Sequence, residues 1–446
     1  MTLSRTICLG FIAVIFTGAL LLMMPFSTST GEWNDPIVAL FTSTSAVCVT
    51  GLAVVDTGKD FSFWGQLFIA LLAQIGGLGY MTTTTFLILL IGRKFDLRHK
   101  LAIQDSFDRP LLQGSRNIIR SVIATTLLFE LTGIFLLMTV FVKDFGFYQG
   151  LWMSVFHSVS AWNNAGFGLL SDNLVQYRSS VIVNLTITGL IIFGGIGYQV
   201  IIEFYVWLVT FFKRKKAKYI FSLNFKVATS TTILLLIVGT ILIFFTELKN
   251  PETLQPLSNF DKIMAAWFQS VTSRTAGFNT IDIGKMTYAG LFITIALMFI
   301  GASPSGTGGG IKTTTFRIIG NCTSSILQGK DEVTIYGRTV PNLLILKAIS
   351  VVFGSAVVIV LATISLSLSE PEDKFEFVQL FFEVVSAFGT VGLSTGITAA
   401  LSAGAKLTLV GVMYVGRVGI LLLMSAILGD PRPTMLRYPE ENLLVG

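Results

Sequence analysis

Hydrophobic positions in this chain gather into long unbroken runs. Runs long enough to cross a bilayer, which takes about 20 residues, occupy roughly residues 6–25, 62–91, 118–142, 181–212, 227–246, 287–300, 342–368 and 405–428. The run at 287–300 is short because a glycine-rich stretch interrupts it. Between the two members of each consecutive pair lies an apolar segment too short to cross: Asp35 to Val47, Tyr148 to Trp162, Phe260 to Ser273 and Phe375 to Phe388. Asp or Glu opens the first, third and fourth, and Ser or Thr closes all of them (Ser45, Ser160, Thr272, Ser386). An acidic residue suits a helix N-terminus, where the dipole is positive. The pattern therefore predicts four half-length helices that start near one surface and aim their negative C-terminal ends at the membrane centre.

Each half-length segment is followed by a Gly-centred tripeptide: Thr50-Gly51-Leu52, Ala165-Gly166-Phe167, Ala276-Gly277-Phe278 and Val391-Gly392-Leu393. The glycines are 115, 111 and 115 residues apart. A period this long marks a structural unit duplicated and fused. The expected organisation is four pore repeats at 1–92, 118–212, 227–317 and 342–430, joined by linkers at 93–117, 213–226 and 318–341, with a tail at 431–446. The expected fold is an all-α membrane protein of four fused outer helix–pore helix–inner helix repeats around a pseudo-fourfold ion pore. Beyond each short helix the chain must return through irregular backbone, tolerated at membrane depth only inside protein or beside a water-filled cavity. Glycine permits positive φ there and lets successive carbonyls point the same way. A ring of carbonyl oxygens replaces the hydration shell of a bare alkali ion. The predicted filter is thus Thr50, Gly51, Ala165, Gly166, Ala276, Gly277, Val391 and Gly392, with K+ held by backbone carbonyls around Gly51, Gly166, Gly277 and Gly392. None of the four tripeptides contains a carboxylate, which points to a monovalent cation.

The second long run of the third repeat is broken by Gly301-Ala-Ser-Pro-Ser-Gly-Thr-Gly-Gly-Gly310. Pro304 removes a backbone donor, and Gly301, Gly306, Gly308, Gly309 and Gly310 each disfavour helix by about 1 kcal/mol. A broken helix beneath a filter is a natural movable barrier. Gly76-Gly77, Gly194-Gly195 and Gly416 with Gly419 are expected to be milder versions of it. Lys312 is expected at the cytoplasmic end of the break. The stretch superficially suggests a phosphate-binding loop, but Ile311 intervenes before Lys312 and no strand precedes it. Arg417 lies inside a strongly apolar run, where a cation is costly unless it faces water or a carboxylate. Near a cation path it acts as a brake on occupancy, or it pairs with an acid or with loop carbonyls, a structural ion pair to Glu130 or Glu383 being the alternative. Glu130 and Glu203 are read as structural or interfacial.

Composition fixes the solvent. Charged residues make up 13% of the chain, against about 25% in soluble domains. The first run lacks an Ala-x-Ala site and is read as a retained helix. Basic residues concentrate at 93–120, 213–226 and 317–347, which places these linkers and both termini in the cytoplasm. The opposite side carries fourteen Asp/Glu against eight Lys/Arg, a mouth that concentrates cations. Cys8, Cys48 and Cys322 form no CxxC pair, and His99 and His157 are isolated. No nucleophile–base arrangement is visible, so an enzyme is not expected.

The strings TSTSAVCVTGLAVVDTG, HSVSAWNNAGFGLLSDN, QSVTSRTAGFNTID and SAFGTVGLSTG resemble the pore loops of the Trk/Ktr/HKT potassium transporter superfamily. Their companions QIGGLGYMT, FGGIGYQV, FIGASPSGTGGGIKTTTF and YVGRVGILL extend the resemblance over nearly the whole chain, most of all to the bacterial Ktr membrane subunit (KtrB or KtrD type). The resemblance implies potassium uptake through a plasma-membrane homodimer with one pore per subunit. It also implies a gating loop at 301–310 with Arg417 facing the pore below the filter, and the tail Leu436 to Gly446 as a candidate for dimer contacts. A cytoplasmic octameric ring of KtrA/KtrC-type regulatory subunits would carry ATP/ADP or NAD(H), while this chain carries no cofactor and meets lipid but no nucleic acid. In this superfamily a serine in place of the first filter glycine goes with sodium selectivity, so Gly51 implies potassium. Sodium dependence is reported across parts of the family and stays open. The leading expectation is passive flow, since a negative membrane potential supplies about 2.3 kcal/mol per charge per 100 mV. The alternative, a Na+- or H+-coupled secondary transporter, would call for buried acids at the midplane and inverted repeats, whereas these repeats run parallel. A scaffold or membrane enzyme finds little support.

Overall fold

The computed structural model describes residues 3–79, 115–213, 219–371 and 373–429. It is helical apart from one small hairpin, Thr334–Ile335 with Arg338–Thr339, in which Thr334 faces Thr339 and Ile335 faces Arg338. Among the described residues four single helices are long and apolar enough to cross a membrane: α1 (Leu3–Met23), α4 (Ser115–Phe145), α8 (Leu223–Glu247) and α12 (Asn342–Ser369). Each is followed by a short helix, respectively α2 (Pro36–Val47), α5 (Phe147–Trp162), α9 (Asn259–Thr272) and α13 (Phe377–Gly389). Then comes an inner segment: α3 (Phe63–Leu78), α6 (Val181–Ile196) with α7 (Tyr198–Phe212), α10 (Tyr288–Phe299) with α11 (Thr313–Leu327), and α14 (Ala403–Val418) with α15 (Ile420–Leu428). The part of the predicted 62–91 run beyond Gly79, and the linker near 93–114, lie outside the described residues. The linker read at 318–341 holds the end of α11 and the hairpin.

The short helices start where their sequences say. Asp35 accepts from Ile37 N and Val38 N with Pro36 in the first turn, and Glu376 forms a reciprocal capping box with Gln379. In the third repeat the cap is Ser258, bonded to Asp261 N and to the Asp261 carboxylate, so the acid occupies the first turn instead. Each short helix sinks against its outer helix. Ser43 Oγ donates to Ile15 O, Ser158 Oγ to Glu130 O and Ser270 Oγ to Leu236 O, at 2.7, 2.7 and 2.9 Å. Opposite these serines stand Gly18, Gly133 and Gly239, where an added methyl would lie 2.4 Å from the hydroxyl oxygen. The same serine–glycine approach recurs in three of the four repeats. The core gathers around these helices, with Phe41, Phe156, Trp162, Phe268 and Phe382 fully buried.

The inner segments break more sharply than expected, at the named Gly419 in the fourth unit but at unnamed residues in the first two. α6 turns into α7 by 101° and α14 into α15 by 97°. The turns fall at Gly197 and Gly419, with Gly79 closing α3, all at positive φ. Gly76, Gly194 and Gly416, read in the sequence as mild breaks, lie within helices. A methyl on any of them would come within 2.0 Å of Val47 O, Trp162 O or Phe388 O. They are packing positions that let each inner helix touch the end of its own short helix.

Candidate functional site

The ends of the four short helices converge. Just after each helix a residue sits in the left-handed region: Val49 (φ 50°), Asn164 (57°), Thr275 (73°) and Thr390 (49°). Two positions on, Gly51, Gly166, Gly277 and Gly392 have φ of 90°, 72°, 77° and 88°, a conformation glycine adopts without steric cost. An added methyl on Gly51 would stand 2.6 Å from Ala165 O, on Gly166 2.8 Å from Ala276 O, on Gly277 2.7 Å from Val391 O, and on Gly392 2.1 Å from Thr50 O. The loops thus follow one another around a closed ring in chain order, each glycine against the preceding-residue carbonyl of the next loop. All eight residues read from the sequence as a filter are brought together, and all are buried.

Side chains behind the ring hold its backbone. Ser45 Oγ donates to Leu52 O and accepts from Gly51 N, Thr272 Oγ1 donates to Phe278 O, and Ser386 Oγ accepts from Gly392 N. Buried His157 bonds Met153 O through Nδ1 at 2.8 Å, and its Nε2 accepts from Leu169 N at 3.4 Å, tying α5 to the returning chain. On one side the ring opens into a cavity of about 580 Å³ lined by the four glycines with Asp56, Asp172, Asp282, Ser394 and Thr398. Three repeats contribute a carboxylate to it. The fourth contributes hydroxyls, which donate with Thr395 N to buried Glu383.

On the other side lies the segment 301–310, without helix. Its neck is closed by Gly301 N to Ile311 O at 2.8 Å. Ser303 N and Thr307 N donate to Gly195 O and Gly194 O, and Thr307 Oγ1 donates to Trp162 O. Gly309 N donates to Thr390 Oγ1 at 2.9 Å. A methyl on Gly308 would reach within 2.0 Å of Thr275 Oγ1, so the loop presses on residues directly beneath the ring. Arg417 donates to Thr307 O and to Gly76 O, joining this loop to the first and fourth repeats.

A ring of four loops closed from below by a fifth is an architecture with known counterparts. The chain matches the family described as TrkH, cation transport protein, over residues 4–430. The chain belongs to the TrkH cation transport family. It is 38% identical to Ktr system potassium uptake protein B of Bacillus subtilis, over all of this chain and 97% of that protein. It is 36% identical to the potassium/sodium uptake protein NtpJ of Enterococcus hirae, over 99% of this chain and 97% of that protein. The crystal structure of the potassium transporter TrkH from Vibrio parahaemolyticus superposes with a TM-score of 0.69 at 17% identity, covering 95% of this chain and 85% of that one. The fold is that of the TrkH family, four fused outer helix–pore helix–inner helix units.

Within this TrkH-family frame each charged residue singled out in the sequence has identifiable partners or neighbours. Arg417 has no carboxylate partner among the described residues, because both candidates are engaged elsewhere. Glu383 is held by Ser394, Thr395 and Thr398, and Glu130 accepts from Asn163 Nδ2, which also donates to Gln74. Glu203 accepts from both Ser222 N and its hydroxyl. Lys312, at the end of the break, donates to Gly308 O at 2.8 Å. Its reach lets it satisfy a loop carbonyl that has no helical partner. Sequence reasoning missed Thr390 as a support of the loop, and missed the bracing role of the Ser/Thr positions it had noted only as helix ends.

Proposed function

We propose that this chain is the ion-conducting membrane subunit of a Ktr-type potassium uptake system, moving K+ passively down its electrochemical gradient. The observation that carries the reading is the closed ring in which Thr50, Ala165, Ala276 and Val391 each present a carbonyl to the neighbouring loop's glycine. Four carbonyls around one axis, at the negative ends of four short helices, favour a dehydrated cation. With glycine at all four positions, potassium is the fitting ion, and the names of the B. subtilis and E. hirae relatives agree with it. The acid-lined cavity faces outward and the basic linkers and both termini face the cytoplasm. The four pore repeats are bounded at 1–92, 118–212, 227–317 and 342–430.

The 301–310 loop is the gate, locked by Arg417, Thr390 and Lys312 in a closed position beneath the filter. It would be released by a cytoplasmic ring of nucleotide-binding subunits acting on the basic linkers of a homodimer. The name of the E. hirae relative includes sodium, so sodium stands as the second ion to measure. The test is growth at micromolar potassium of cells lacking their own potassium transporters. The chain co-expressed with a regulatory ring restores growth and accumulates K+. A chain that inserts but moves no K+, with or without the ring, overturns the reading.

A further inference from the structure

Arg274 stands between the third glycine loop and the intramembrane loop. It lies three residues before Gly277, just beyond the end of α9, and only 8% of it is exposed. Its Nη1 reaches Thr232 O at 3.5 Å on the outer helix α8. Its Nη2 reaches Thr232 Oγ1 at 3.5 Å and Gly301 O at 3.4 Å. Nε has no partner, and no carboxylate pairs with this guanidinium among the described residues. Beside it a void of about 20 Å³ is lined by Ile191, Gly195, Thr232, Leu236 and Ala302. An unpaired buried cation is expensive, and an apolar side chain would fill this space better. A positive charge near the C-terminal end of α9 complements the helix dipole, but any point charge would do that. The planar fork does more, since it holds α8 and the first carbonyl of the loop's neck at once. The neck is the fixed part of the loop: Gly301 N bonds Ile311 O, Ala302 N bonds Gly309 O at 3.4 Å, and Thr313 N bonds Ala302 O at 3.3 Å. The far part, around Thr307, is the part gripped by Arg417.

We infer that Arg274 is a positioning residue that pins the neck of the 301–310 loop to the third pore loop, keeping the gate in register with the filter as its far part moves. The inference rests on the reading of that loop as a gate. The test sets Arg274→Lys and Arg274→Met in the full chain and in a chain lacking residues 301–310. It reads potassium uptake per membrane-inserted protein without a regulatory ring, together with K+/Na+ preference. In the full chain both variants raise uptake several-fold, Met more than Lys, with ion preference unchanged. In the loop-deleted chain neither changes uptake by more than about twofold, because the positioned group is gone. Should the Met variant fail to insert, the Lys pair decides. An equal fall in both backgrounds, a shift in K+/Na+ preference, or no change in either background would reduce Arg274 to a support of α9 and overturn the inference. Absence of uptake from the unsubstituted chain, with or without the regulatory ring, would instead strike the conduction reading, a separable failure.

Discussion

Each ring glycine is confined by its neighbour's carbonyl, so the smallest side chain is a requirement of the closed ring. The serines and threonine behind it matter next. In Ser386→Ala the buried Gly392 N loses its acceptor, an unmet bond that costs about 1–3 kcal/mol. The predicted outcome is a several-fold rise in the half-saturating K+ concentration with the protein still inserted, read from uptake kinetics. Arg417→Gln removes the charge that joins Thr307 O to Gly76 O, and K+ uptake without the regulatory ring should rise several-fold. An unchanged rate would mean that Arg417 does not lock the loop. At this scale the sequence was partly legible. The eight ring residues stood out because they repeat in register, and Arg417 because a charge inside an apolar run is conspicuous. Arg274 was hidden inside the string QSVTSRTAGFNTID, where a basic residue beside a filter carries no periodic signal. Of the partners open to Arg417, the backbone carbonyls of Thr307 and Gly76 are the ones it takes, while Glu130 and Glu383 are already held by amide and hydroxyl donors.

The short helices were readable because acid or serine caps mark the starts of three of them and the tripeptides mark all four ends, while α5 starts after Gly146 without a side-chain cap. The predicted Asp35 to Val47 and the observed Pro36–Val47 differ by one residue. The inner helices were harder. A Gly-Gly pair in an apolar run looks like a break, yet Gly76 and Gly194 are contact positions and the turns come three residues later, a distinction set by tertiary packing. Removing 301–310 tests the loop as an element: flux should rise while K+/Na+ preference holds, since the ring is braced independently of it.

At the C-terminal end of α12 the carboxylate of Glu370 accepts from Ser402 N and Lys374 Nζ. Burial alone would raise its pKa, but these bonds and the Ser402 hydroxyl outweigh burial and hold it below the ordinary value of 4.5. A depressed carboxylate stabilises the fold above its unfolded value, and that contribution is lost as pH falls through the depressed one. The melting temperature in detergent should therefore fall below about pH 4.5 in the native chain. Glu370→Gln should flatten that slope and cost on the order of 1 kcal/mol at neutral pH. An identical acid slope in the variant would show that Glu370 does not contribute.

Across the whole molecule, four units of one pattern surround one axis, but they are not equivalent. Three give the vestibule a carboxylate and the fourth gives hydroxyls backed by Glu383. Among the described residues only the third opens its inner helix into a loop, which then touches the other three, directly or through Arg417. This asymmetry suits a pore whose selectivity is shared by all repeats and whose gating is assigned to one. The repeat and its membrane class were legible from period and composition, whereas the order of contacts around the ring was not, because sequence spacing carries no angle. The most direct test of the central claim is K+ flux into liposomes holding the purified chain, with Na+ as competitor, for the native protein and for Gly51→Ser, Gly166→Ser, Gly277→Ser and Gly392→Ser. The account predicts K+ preference in the native chain and a loss of about tenfold, equivalent to about 1.4 kcal/mol, in each variant that inserts. Native flux that does not discriminate K+ from Na+, or four serine variants that keep full preference, would contradict it.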